Sequence, residues 1–227
     1  MTFIVSEIAA TKSKFDRPLP KATTQGARIL QVVDLGVQAR KPYQGADRDP
    51  VRQVMFTFEI AEKMEYDGEE VPMRMSTRAF TLSNDPKSAL FQFMKNVDPN
   101  DSLKGDLSKY LNLPCLVTIV HADIVGKDGP KKVANISGVM PAPDGFPINP
   151  LHDEPALFSF DAPTEEAAAS IPQWLRDKVK AAENYGGAVK SVIEKVDAQA
   201  AAAKAERAAP APTPAAPAAK GKTKAPY

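Results

Sequence analysis

The chain has 227 residues, with 29 basic and 28 acidic side chains and a formal net charge of +1. That balance excludes a polycation that coats anionic polymers by bulk charge, so a nucleic-acid surface has to come from segregated charge. The length suits one globular domain with appendages, and the single cysteine, Cys115, excludes an internal disulfide and implies a reducing compartment.

Residues 1–24 carry a short apolar start broken by Glu7, Lys12 and Lys14, followed by Pro18 and Pro20, and they suggest an irregular arm rather than a signal peptide. Residues 26–35, GARILQVVDL, alternate well enough for a first strand, with Gly36 ending or bulging it. Residues 37–50 form a polar loop that holds Arg40, Lys41, Tyr43, Gly45 and Arg48.

Residues 51–82 suggest two strands joined at Asp67-Gly68-Glu69-Glu70. The first alternates Val54, Phe56, Phe58 and Ile60 against Gln53, Met55, Thr57 and Glu59. The second sets Arg74, Ser76, Arg78 and Phe80 against Met73, Met75, Thr77 and Ala79. Its first set is a poor core and a suitable platform for a flat, anionic ligand.

Ser83-Asn84-Asp85-Pro86 supplies a helix start, with Pro86 in the first turn, and Leu90, Phe91 and Met94 follow at helical spacing. Residues 106–113 suggest a helical turn or two, and 114–125 and 132–139 suggest two further strands around a basic connection at 126–130. The order strand, strand, strand, helix, strand, strand is that of the OB fold. This is a five-stranded Greek-key barrel whose strand 2–3 face and loops bind oligonucleotides or oligosaccharides. The expected class is therefore mainly β, with the barrel over 25–145.

Beyond it, 146–170 suggests a proline-rich, acidic connector, and 171–208 suggests two helices, the first with Pro172, Trp174, Leu175 and Val179. The composition of 209–227 suggests a disordered Ala/Pro/Lys tail. No stretch approaches the ~20 apolar residues of a membrane span, so no membrane partner is expected.

One cysteine and two histidines exclude a Cys/His zinc site, and no phosphate-cradling glycine loop is present. No cofactor and no catalytic set is expected. Cys115 and His121 share a strand, and an inert core thiol is favoured over a nucleophilic pair. Three regions supply instead what single-stranded nucleic acid needs, cations along phosphates and planes for base stacking. They are Arg40, Lys41, Tyr43 and Arg48 in the first loop, Arg52, Met55, Arg74, Arg78 and Phe80 on the strand 2–3 sheet, and Lys127, Lys131 and Lys132 at the last hairpin.

The succession KPYQGADRDPVRQVMFTFEI, MSTRAFTLS, LPCLVTIVH, KKVANISGVMPAP and IPQWLRDKVKAAENY resembles bacteriophage and prophage single-stranded DNA-binding proteins with an OB fold. The resemblance implies a non-catalytic protein that coats single strands during replication or recombination, in the cytoplasm of a bacterial host. It carries Tyr43, Gly45, Arg78, Phe80 and Asn135 as matching positions. Proteins of replication or recombination are further expected partners, through 153–185. The competing expectation is an OB-fold scaffold for protein interactions, with the Trp174 helix as its docking element.

Overall fold

The computed structural model describes residues 18–66, 68–126 and 129–208. Most of the expected arm, the Asp67 turn position, Lys127 and the expected tail lie outside them.

The first strand, β1 (Thr24–Gln38), is buried along most of its length. It pairs antiparallel with β2 (Val51–Tyr66), with an extra residue on β1 between Ile29 and Gln31 and another between Asp34 and Gly36. Each insertion bends the strand, as closure of a small barrel requires. Gly36 sits at φ +71°, and a Cβ there would lie 2.4 Å from the Phe160 ring. The expected alternation on β2 is present, with Val54, Phe56, Phe58 and Ile60 all in the inner core.

β2 continues into β3 (Glu69–Ser76), and β4 (Phe80–Thr81) pairs with β2 further along. Helix α1 (Ala89–Val97) follows, then a 3-10 turn at Leu107–Tyr110 and the hairpin β5 (Pro114–Gly126) and β6 (Gly129–Pro141). The strand order β3-β2-β1-β5-β6, with β6 returning toward β3, makes a nearly closed five-stranded antiparallel barrel of OB-like topology. Its interior is closed by α1, whose Phe93 ring lies 4.5 Å from that of Phe56 and 5.2 Å from that of Phe80. The helix starts later than expected, because the Ser88 hydroxyl accepts from the Phe91 amide and caps it, leaving Pro86 in the preceding turn.

The segment expected to be an extended connector contains two further elements. β7 (Ala156–Phe158) pairs parallel with Gln31, Val32 and Val33 of β1, and α2 (Glu165–Ser170) is capped by the Thr164 hydroxyl. Then come α3 (Gln173–Lys180) and α4 (Gly187–Ala208). The expected helix at 171–185 is thus shorter, its last residues turning into α4.

Together these elements bury a second core on the outside of the barrel. Val33, Leu35 and Met55 meet Phe158, Ile171, Leu175, Val179, Val189 and Ile193 there. Arg176 locks the helices, since its Nε donates to Asp197 at 2.7 Å and its Nη1 to the Ile171 carbonyl at 2.6 Å. Among the described residues no helix is long and apolar enough to cross a membrane.

Cys115 is fully buried in the barrel, and burial pushes its thiol up to about 12. His121, six residues on along the same strand, lies roughly 20 Å away by strand rise and bonds the Pro20 carbonyl at 2.8 Å. The two do not form a nucleophilic pair. The native protein should therefore be inert to Ellman's reagent at pH 8 and react fully once denatured; rapid native labelling would show that β5 opens.

Candidate nucleic-acid interface

The expected site divides into parts with different fates. The loop joining β1 to β2 leaves the barrel at Gln38, whereas β5 runs past Thr24, at the opposite end of β1. Lys131, Lys132 and Asn135, exposed on β6, therefore sit far from Arg40 and Arg48. The face between the two ends was expected to hold the ligand, and the protein's own chain occupies much of it.

Met55 is only 4 % exposed and belongs to the second core, so its expected place on an open face is corrected. Its outward direction is as anticipated, but β7 and the helices cover that side. Arg52 is held at 2.5 Å by Asp34 and at 2.8 Å by Asp161. These hydrogen bonds, Asp34 foremost, raise its pKa further and commit the guanidinium to an internal network. Arg74 pairs with Asp153. The Asn149 carbonyl accepts from Arg28 Nε at 2.8 Å, and the His152 amide donates to Glu59 at 2.7 Å, so residues 149–153 cross the sheet as a strap. Ile148 packs against Gly26, where a Cβ would stand 3.2 Å from its Cγ1.

Phe80 is the second correction: it is 8 % exposed and part of the inner core. Ser76 lies opposite Thr57 and Phe80 opposite Val54, so four steps on one strand match three on the other. That one extra residue inverts the alternation, turning Phe80 inward while Arg74 and Ser76 keep the outer face.

What the fold does bring together is a cleft of about 740 Å³ beside the β1–β2 loop. Arg40, Arg48 and Arg78 line it with Lys87, Ser83 and Ser88. None of the four cations forms an ion pair with a described carboxylate, although Asp85 also lines the cleft. The loop tip is built rather than loose. The Tyr43 amide donates to the Ala46 carbonyl at 2.9 Å, the Ala46 amide returns the bond at 3.0 Å, and Gln44 and Gly45 both take positive φ, as in a type I′ turn.

The turn presents Tyr43 with 62 % of its surface exposed and the Arg48 guanidinium 5.9 Å from its ring centre. Arg78 is similarly seated 5.9 Å from the Phe80 ring centre, so the buried phenylalanine positions a residue of the cleft. Lys41 is exposed in the same loop.

Lys87 was missed by inspection of the sequence. Its signal was its place just before the helix, because the segment entering that helix lies beside the first loop in this strand order. α2 was missed although Thr164, followed by Glu165 and Glu166, is a readable cap and acidic first turn.

Among the described residues no group of three or more His, Cys, Asp or Glu side chains could hold a metal ion. No protein-family model matches the chain, and no curated protein or solved structure is significantly similar to it. The fold and the cleft therefore define the class on their own, an OB-like barrel with a basic, aromatic-edged cleft at one end.

Proposed function

We propose that the chain is a non-catalytic, sequence-independent single-stranded DNA-binding protein that grips the strand in the cleft of Arg40, Arg48, Arg78 and Lys87. The observation that carries this reading is the convergence in one cleft of four cations, none paired with a described carboxylate, one of which, Arg48, lies over the open ring of Tyr43. Phosphates satisfy the cations, and an unstacked base covers the free face of Tyr43, an interaction worth ~1–3 kcal/mol per base. Duplex DNA offers the phosphates and not the base face, so it should bind more weakly. DNA rather than RNA follows from the family resemblance alone.

The test is anisotropy of a labelled oligothymidine titrated across salt. The four phosphate contacts of the cleft contribute about −3 to the log–log slope, at ~0.7 per single-strand contact. No anisotropy change at low salt overturns the reading.

A protein-interaction scaffold keeps one observation in its favour: Trp174 is 45 % exposed on α3, although Leu175 and Val179 of that helix are fully buried. Deleting 171–185 would strip the second core, so the informative variant is Trp174→Ala. On the DNA-binding reading its oligothymidine affinity and melting temperature stay at wild-type values. Loss of DNA binding there would place the site on α3 instead.

A further inference from the structure

A second cavity, of about 640 Å³, lies next to the arginine cleft, between α1 and residues 98–105. The two meet at consecutive residues, Ser83 lining the cleft and Asn84 the cavity. Along α1, Phe91, Met94 and Lys95 recur at helical spacing and form one wall. The opposite wall is a tight loop folded around Asp98, whose carboxylate accepts from the Ser102 hydroxyl and the Leu103 amide, both at 2.8 Å. Asp101 and Lys104 both hold positive φ in this loop, so its shape is maintained there against local backbone preference.

The lining matches a planar heterocycle carrying an anion. Phe91, Met94 and Tyr110 give it an apolar floor. Tyr110 is 1 % exposed, and its hydroxyl has no hydrogen-bond partner among the described residues. Burial, with Asp98 and Asp101 adding to it, pushes that hydroxyl up to about 12, so it stays protonated as a donor. Around the rim, the side chains of Asn84, Asn100, Lys95 and Lys104 likewise make no hydrogen bond or ion pair with any described residue. An apolar floor with a few convergent, unspent polar groups in this size range is the usual form of a small-ligand site.

We infer that this cavity seats one base of the bound single strand, so that the strand runs from the arginine cleft over the start of α1. The base lies on Phe91 and Met94, with its polar edge toward the Tyr110 hydroxyl and the amides of Asn84 and Asn100. Lys95 and Lys104 take the flanking phosphates. Asp101, on the same rim, accepts from a base N–H. The inference rests on the single-strand reading and sharpens it, because it moves the path off the strand 2–3 face that the strap and the C-terminal helices cover.

The experiment compares a labelled oligothymidine with an all-abasic strand of the same length, using the full chain. Lys95→Glu/Lys104→Glu should weaken both strands about tenfold and lower the salt slope by about 1.4, the share of two phosphate contacts. Tyr110→Phe with Asn100→Ala should reduce affinity for oligothymidine alone, narrowing its advantage over the abasic strand about fivefold. Both lysines are exposed, and Tyr110→Phe removes one oxygen, so the fold is retained; the circular dichroism melt checks it. If wild type binds and these variants match it, the seat is overturned while the cleft stands. Loss on both strands from Tyr110→Phe/Asn100→Ala also overturns the base seat. If wild type binds neither strand, the single-strand reading falls with it.

Discussion

Arg48→Glu/Arg78→Glu should weaken oligothymidine binding by about two orders of magnitude, roughly 1.4 kcal/mol for each reversed arginine, and lower the salt slope by about 1.4. Both side chains are exposed, and each sits over a ring rather than in an ion pair with a described residue, so the change removes phosphate contacts without dismantling a described network. The informative comparison is Arg74→Glu. That arginine already pairs with Asp153 on a face crossed by residues 149–153, so its reversal should cost less than about threefold. An unchanged double variant would remove the cleft from the site. A large effect at Arg74 would show instead that the strap lifts and the strand 2–3 face is used after all.

Phe158→Ala should destabilise the protein by ~3–5 kcal/mol, the usual cost of emptying a buried aromatic site. At this size that lowers the melting temperature by about 6–20 °C. Phe158 is fully buried, lies opposite Val33 in the β7–β1 pairing and packs edge-on to Phe160 at 6.3 Å. Its loss uncouples the helices from the barrel. Measured well below the transition, oligothymidine affinity should stay within about twofold, because the four cleft cations lie outside the second core. A wild-type melting temperature would mean that the C-terminal segment does not dock in solution. A collapse of affinity at low temperature would make the second core part of the binding apparatus.

The sequence carried the barrel well, because its strands announce themselves by alternation: Val54, Phe56, Phe58 and Ile60 all face inward, as their spacing requires. The loop cations were also legible, since a polar loop between two such strands has nowhere to go but the surface. Phe80 was not, because one inserted residue between Ser76 and Phe80 leaves no mark in composition yet exchanges the two faces. Met55 pointed outward as expected. What its spacing does not reveal is that a segment more than a hundred residues later covers it. Asp153 and Asp161 belong to the stretch expected to be a proline-rich, acidic connector; their ion pairs with Arg74 and Arg52 exist only once the chain has turned back on itself.

That return bears on how the chain is made. Asp34 accepts a hydrogen bond from the Phe160 amide across 126 residues of sequence, and β7 reaches β1 over a similar span. At a synthesis rate of ~5–20 residues per second, β1 and β2 wait roughly five seconds or more for the elements that cover them. During that interval Val33, Leu35 and Met55 form an uncovered apolar strip on strands already able to pair. Such a strip attracts chaperones or another nascent chain, so recovery of soluble protein should depend on growth temperature and expression rate more steeply than equilibrium stability alone would suggest.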